Sequence, residues 1–154
     1  MSRINWTRVI LGGLLAGLLI NTSEFILNGV ILEKAWGAAM GALGKPTQLS
    51  GAQIAMFNVF GFLIGIFGVW LYAAIRPRYG AGPRTAVIAG LAVWILGYLL
   101  PNVGPISMDI FPVRLMLIGI TVGLVEAPLA MLLGAWIYKE EGALKGESAA
   151  ARGA

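Results

Sequence analysis

The chain has 154 residues, of which 58% are hydrophobic and only 12% charged, with a net charge of +4 and a mean hydropathy of +0.85. Soluble domains carry about 25% charged residues, so this composition points to the bilayer. Cysteine and histidine are both absent, which excludes disulfides, thiolate metal sites, imidazole-bound haem or zinc, and histidine proton relays.

Apolar stretches fall at about 9–32, 51–75, 84–100 and 110–138, each near the ~20 residues a helix needs to cross a bilayer. The predicted fold is all-α: a polytopic membrane protein with four transmembrane helices packed as a bundle. The first stretch follows Arg3 and Arg8, is interrupted by Asn21-Thr22-Ser23-Glu24, and resumes from Phe25 to Leu32. It is too long for the apolar region of a signal peptide and reads as an uncleaved span. The outer segment Trp36–Pro46 is expected along the membrane surface, with too much glycine for a stable helix.

Ser50-Gly-Ala-Gln53 has capping-box spacing and opens the second span. Arg76-Pro77-Arg78-Tyr79-Gly80 is expected to close it, since proline cannot continue the ladder. Gly82-Pro83 starts the third span, and Pro101 with Pro105 is expected to end it. Asp109 is the expected N-cap of the fourth, with Pro112 tolerated in the first turn. Residues 1–140 then form one transmembrane domain, and 141–154 a flexible cytoplasmic tail.

Basic residues mark the ends of these segments. With the N-terminus inside, the inner side holds Arg3, Arg8, Arg76, Arg78, Arg84, Lys139, Lys145 and Arg152, against Lys34, Lys45 and Arg114 outside. This positive-inside bias predicts a bacterial inner-membrane protein with both termini cytoplasmic. The scatter of charge argues against a nucleic-acid partner.

A faint internal duplication runs through the chain. The second and fourth spans share Gly-x-Trp-x-Tyr near their ends, Gly68 to Tyr72 and Gly134 to Tyr138. The first and third share Val-Ile-x-Gly, Val9 to Gly12 and Val87 to Gly90. A parallel two-hairpin repeat explains both matches. Simple enrichment of Trp and Tyr at membrane interfaces explains the first.

Spacings of three and four place residues on one helix face. The first span aligns Gly13, Gly17, Asn21, Glu24 and Asn28, and the second aligns Asn58, Gly61, Gly65, Gly68 and Tyr72. The third aligns Ala86, Gly90, Val93 and Gly97, and the fourth Gly119, Gly123, Glu126, Ala130 and Gly134. Helices in lipid associate by close backbone approach and interhelical hydrogen bonds, so these stripes should face the bundle interior. The pairs Gly13/Gly17, Gly61/Gly65 and Gly119/Gly123 are the candidate packing sites.

At ~1.5 Å per residue, Glu24 and Asn58 lie ~12 Å below the outer boundary, Thr121 ~10 Å, Asn21 ~16 Å and Glu126 ~18 Å. Glu24, Asn58 and Thr121 are therefore expected to meet, with Glu24 hydrogen-bonded to one of the other two directly or through one water. Asn21, Asn28 and Glu126 complete the candidate polar cluster. Pro128 removes the donor to the Leu124 carbonyl, so a kink or a local donor is expected there.

The run Ile4-Asn5-Trp6, then Phe25, Gly29, Lys34, Trp36 and Met40-Gly41, resembles the N-terminal half of a bacterial family of small four-span integral membrane proteins of unknown function. That resemblance implies a fold and no activity. In layout alone, a small chain with one glutamate in its first span also resembles small multidrug-resistance transporters. The residues around Glu24 do not match their motif, however, and their short fourth span is absent.

A charge at the bilayer centre costs at least ~2.5–3.5 kcal/mol, so both glutamates need a reason. Protonated glutamate can act as hydrogen-bond glue between helices, which would fit a structural or accessory role. It would fit equally within a homo-oligomer or as a subunit of a larger membrane complex. The alternative is proton- or cation-coupled transport using Glu24 and Glu126; a ligand or lipid site is the third reading. No nucleophile–base pair, phosphate loop or metal constellation is present, so neither catalytic residues nor cofactors are predicted. The lipid bilayer is the one partner the composition requires.

Overall fold

In the computed structural model, which describes residues 4–138, Asn5 opens the first helix by accepting a hydrogen bond from the Arg8 backbone N–H at 3.1 Å. Helix α1 then runs from Trp6 to Ile31, its last part, Phe25–Ile31, wound as a π-helix. A short helix α2, Glu33–Ala42, follows. The capping box of Ser50 and Gln53 forms as the sequence predicts and opens α3, Gly51–Tyr79. Helix α4 spans Pro83–Ser107 with a π segment at Ile95–Leu99, and α5 spans Val113–Ile137.

The described residues contain no strand. Helices α1, α3, α4 and α5 are all long and apolar enough to cross a membrane. The shortest have 25 residues, about 37 Å of helix against a hydrocarbon core of ~30 Å. The fold is an all-α membrane-type bundle.

Several boundaries differ from those read in the sequence. Pro77 lies inside α3, and the helix continues to Tyr79 before Gly80, at φ 85°, turns the chain. Proline loses one hydrogen bond there, but its fixed φ suits a helical turn. Pro101 and Pro105 likewise lie within α4. Pro101 lies two residues past the end of the π segment, in the first turn after the ladder changes register, where a missing N–H is tolerated. Asp109 is not a cap: at φ 51° it sits in the turn before Pro112, which immediately precedes α5. The glycine-rich outer segment does form a helix, α2, because Trp36 anchors it against Phe111 with ring centroids 5.5 Å apart. The expected tail lies outside the described residues.

Helix α1 sits between α3 and α5, and α4 packs on the far side against α5 and α3. Glycines set the crossings. A Cβ on Gly13 would collide with Ile66, and one on Gly17 would lie 2.7 Å from the Phe62 Cα. Gly65 faces the Gly13 and Gly17 backbone in return, and Gly61 lies under the Asn21 side chain. Gly12 and Gly134 bring α1 and α5 together. At the α4–α5 crossing Gly90 meets Pro128, and a Cβ on Gly90 would lie 2.5 Å from the Pro128 Cα. Val9, Ala16, Val69, Ala86, Ala89, Ala127, Ala130 and Met131 fill the buried core between them.

Gly119 and Gly97 depart from their predicted stripes, with nothing within 4 Å of a Cβ at either site. The π segment of α4 explains Gly97. One extra residue per turn rotates the helix beyond it, so that Tyr98 and not Gly97 turns inward, its ring over Gly123. At the other end of the bundle, residues 51–60 of α3 are exposed on all sides, including Ile54, Met56, Phe57, Val59 and Phe60. The apolar surface of that first third of α3 suits hydrocarbon.

Candidate functional site

Two glutamates lie within the spans, Glu126 buried and Glu24 half-buried. Glu24 sits at the last α-helical position of α1 before its π segment. Its Oε2 accepts from Asn28 Nδ2 at 2.5 Å. The Asn28 Oδ1 accepts in turn from Trp36 Nε1 at 2.7 Å. A hydrogen-bonded chain therefore runs from the surface helix α2 to a carboxyl group in the span. The π winding places Asn28 so that it can reach back to Glu24 and outward to Trp36.

Glu126 on α5 is 3% exposed. Its Oε1 accepts from the Tyr98 hydroxyl on α4 at 2.5 Å. The charges of Glu24 and Glu126 lie close enough to act on one another, and both act on Tyr98. Ser23 of α1 faces the Glu126 carboxyl, but no hydrogen bond of acceptable geometry closes on Oε2, which is buried without a partner. Both π segments of the bundle carry residues of this cluster, Asn28 in one and Tyr98 in the other; π turns recur at functional sites.

The remaining predicted residues are arranged differently. Glu24 bonds to neither Asn58 nor Thr121, which corrects the expected contact. Asn58 Nδ2 donates to the Ile54 carbonyl of its own helix at 2.8 Å, and Thr121 Oγ1 donates to the Leu117 carbonyl at 2.8 Å. Both are exposed. Asn, Ser and Thr readily satisfy themselves on the carbonyl one turn back. Asn21 does bridge helices: its Nδ2 donates to the Asn58 carbonyl at 3.0 Å.

Pro128 lies within an unbroken α5. No side-chain donor to the Leu124 carbonyl is found among the described residues. The nearby indole, Trp94 Nε1, donates to the Ile120 carbonyl at 2.8 Å. Pro128 instead gives Gly90 of α4 a flat surface to pack on.

Tyr98, Ser23 and Trp36 are the members of this cluster that sequence reasoning missed. Ser23 sat within the polar run that drew attention to Glu24, and it also lines a shallow apolar groove between α1 and α5 with Leu19, Thr22, Ile26 and Val122. No group of three or more acidic side chains suited to a metal ion occurs among the described residues, and neither glutamate has a lysine or arginine as hydrogen-bond partner. Compared with protein-family models, with curated proteins and with solved structures, the chain finds no match.

Proposed function

We propose that this protein is a small multi-pass membrane transporter coupled to protons or to a cation, with Glu24 and Glu126 as its coupling pair. The observation that carries the reading is the Oε2 of Glu126, buried within a span without a hydrogen-bond partner, with the Glu24 carboxyl in electrostatic range. A residue kept only as structural glue gains nothing from an oxygen left bare, since an unsatisfied buried polar group costs ~1–3 kcal/mol. Two carboxyl groups in an apolar setting, without a basic partner among the described residues, call for protons or a cation to neutralise them.

The positive-inside bias supports placement in a bacterial inner membrane with both termini cytoplasmic. Reconstitution into liposomes loaded with a pH-sensitive dye tests the reading. A proton or cation gradient should drive flux that Glu126→Gln abolishes while size-exclusion behaviour and helix content stay unchanged. Undiminished flux in Glu126→Gln and Glu24→Gln would defeat it.

A structural or accessory role is the second reading. What favours it is the way Tyr98–Glu126 ties α4 to α5 while Trp36–Asn28–Glu24 ties α2 to α1. Purification in mild detergent followed by mass spectrometry discriminates the two: reproducible co-purifying subunits support this role, and a lone chain or homo-oligomer supports transport.

A further inference from the structure

We infer that the C-terminal half of α4 has a second winding, in which its π segment relaxes to a regular α-helix. Tyr98 then swings off Glu126, and Gly97 takes its place against α5. This device stands on packing alone and does not depend on the transport reading.

The hydrogen-bond ladder puts little in the way of the change. In the π segment the Leu100 N–H donates to the Ile95 carbonyl, five residues back; in an α-helix it would donate to Leu96. The next donor would fix the register, but the next residue is Pro101, which has no N–H. Neither winding therefore gains a bond at that rung. Asn102 Nδ2 donates to the Tyr98 carbonyl at 2.5 Å, which gives that carbonyl a side-chain partner outside the ladder.

Packing supplies a reason for each state. The extra residue of the π turn rotates the helix beyond it by ~100° and lays the Tyr98 ring on Gly123. This winding is held by the Tyr98–Glu126 hydrogen bond at 2.5 Å and spares the Gly97 carbonyl a clash with the Pro101 ring. It also leaves three glycines without a contact: a Cβ on Gly97 or Gly104 of α4, or on Gly119 of α5, would meet nothing within 4 Å. Under regular winding Gly97 and Gly104 continue the face of Ala86, Gly90 and Val93, and Gly119 shares the face of Gly123. Closer to the other end of α4, Gly90 already meets Pro128 in this way. Rewinding extends that close glycine contact along α4 and α5, the packing that lipid favours. It also releases Glu126 from its tie to α4, so closure of the two helices and the bonding of Glu126 are linked.

The chain has no cysteine, so Val103→Cys on α4 and Leu117→Cys on α5, both at exposed positions, give a clean pair of spin-label sites. Pulsed electron resonance on the full chain in lipid nanodiscs reads the distance between them. Tyr98→Ala, which lifts the ring from Gly123, should shift the pair to a shorter distance. Adding Gly97→Leu should restore the longer one, because leucine cannot enter the glycine contact, and Gly119→Leu should do the same from α5. Gly97→Leu alone should leave the distance and the helix content unchanged. Should Tyr98→Ala fail to fold, Tyr98→Phe, which lacks only the hydroxyl, carries the same comparison. An unmoved distance when Tyr98 is replaced overturns the second winding. A short distance that survives Gly97→Leu overturns it too, since the helices would then have collapsed into the space of the ring without rewinding.

Discussion

Tyr72 and Tyr138 stand edge to face, with ring centroids 5.9 Å apart and planes at 87°, and each hydroxyl serves the other's hairpin. Tyr138, just past α5, accepts from the Asn5 backbone N–H at 3.4 Å. Tyr72 of α3 accepts from the Gly82 backbone N–H at 3.2 Å. Asn5 and Gly82 are the cap residues of α1 and α4. Each tyrosine of the Gly-x-Trp-x-Tyr motif thus reaches the start of the first helix of the opposite pair. A parallel repeat of two hairpins is expected to produce such reciprocity. The motif glycines also match in use, Gly68 lying against Met131 and Gly134 against Val69 and Gly12.

The reciprocity makes a prediction. Tyr72→Phe and Tyr138→Phe keep the stacked rings and remove one hydroxyl each, so each should lower stability by about 0.5–1.5 kcal/mol. Trp136→Phe is the control: Trp136 is 81% exposed, and its replacement should stay within ~0.5 kcal/mol. Thermal unfolding in detergent reads all three. A large loss in one tyrosine variant with none in the other would break the symmetry.

Packing of α4 on α5 yields a second prediction from two glycines of one motif. A Cβ on Gly123 runs into the Tyr98 ring, whereas one on Gly119 meets nothing within 4 Å. Gly123→Ala should therefore push Tyr98 off Glu126 and destabilise the bundle by ~1–3 kcal/mol, the usual cost of overpacking. Gly119→Ala should be neutral or slightly stabilising, since alanine is the better helix former. Equal melting temperatures for the two variants would show that Tyr98 is not seated on Gly123.

The contrast between those glycines shows where sequence reading reached and where it stopped. Composition, span number, the Ser50–Gln53 capping box and the inward glycines Gly13, Gly17, Gly61, Gly65 and Gly123 followed from periodicity and cap chemistry alone. The π segments did not, because an extra residue in one turn leaves no mark in a 3.6-residue pattern. That shift hid Tyr98, which a regular helix would have placed beside the inward face held by Gly97. Depth arithmetic placed Glu24, Asn58 and Thr121 at one level. It could not show that Asn58 and Thr121 turn to their own backbones. Glu24 and Glu126, separated by ~6 Å of depth in a straight-helix count, interact because helices cross at angles that such a count ignores.

Trp36 makes the third prediction. Its indole N–H holds Asn28, and its ring meets Phe111 edge to face just ahead of α5. Trp36→Phe retains an aromatic ring for Phe111 and deletes the donor. The Asn28 amide then loses the partner that fixes its orientation, at a cost of about 0.5–1.5 kcal/mol. Local opening of α2 should follow, because that side chain ties this short helix to Asn28 and Phe111. Hydrogen exchange across residues 33–42 should accelerate in the variant while α3 and α5 stay protected. Unchanged exchange in α2 would mean that its anchor lies elsewhere, for example in the close approach of Gly37 to the Thr47 carbonyl.

Orientation decides which side of the membrane that anchor faces. Lys34 and Lys45 flank α2, whereas Arg76, Arg78 and Arg84 crowd the turn between α3 and α4. Basic residues are retained on the cytoplasmic side, so α2 and the Trp36–Asn28–Glu24 chain should face outward and the Gly80 turn inward. A phosphatase or fluorescent reporter fused after Gly44 should therefore report the periplasm, and one fused after Gly80 the cytoplasm. Both glycines are at positive φ in exposed turns, so a fusion there ends the chain without cutting a helix. Replacing Arg76, Arg78 and Arg84 with glutamine should weaken the bias and yield mixed reporter signals. A cytoplasmic signal at Gly44 in the unaltered chain would invert the assignment, and the carboxyl pair would then be approached from inside the cell.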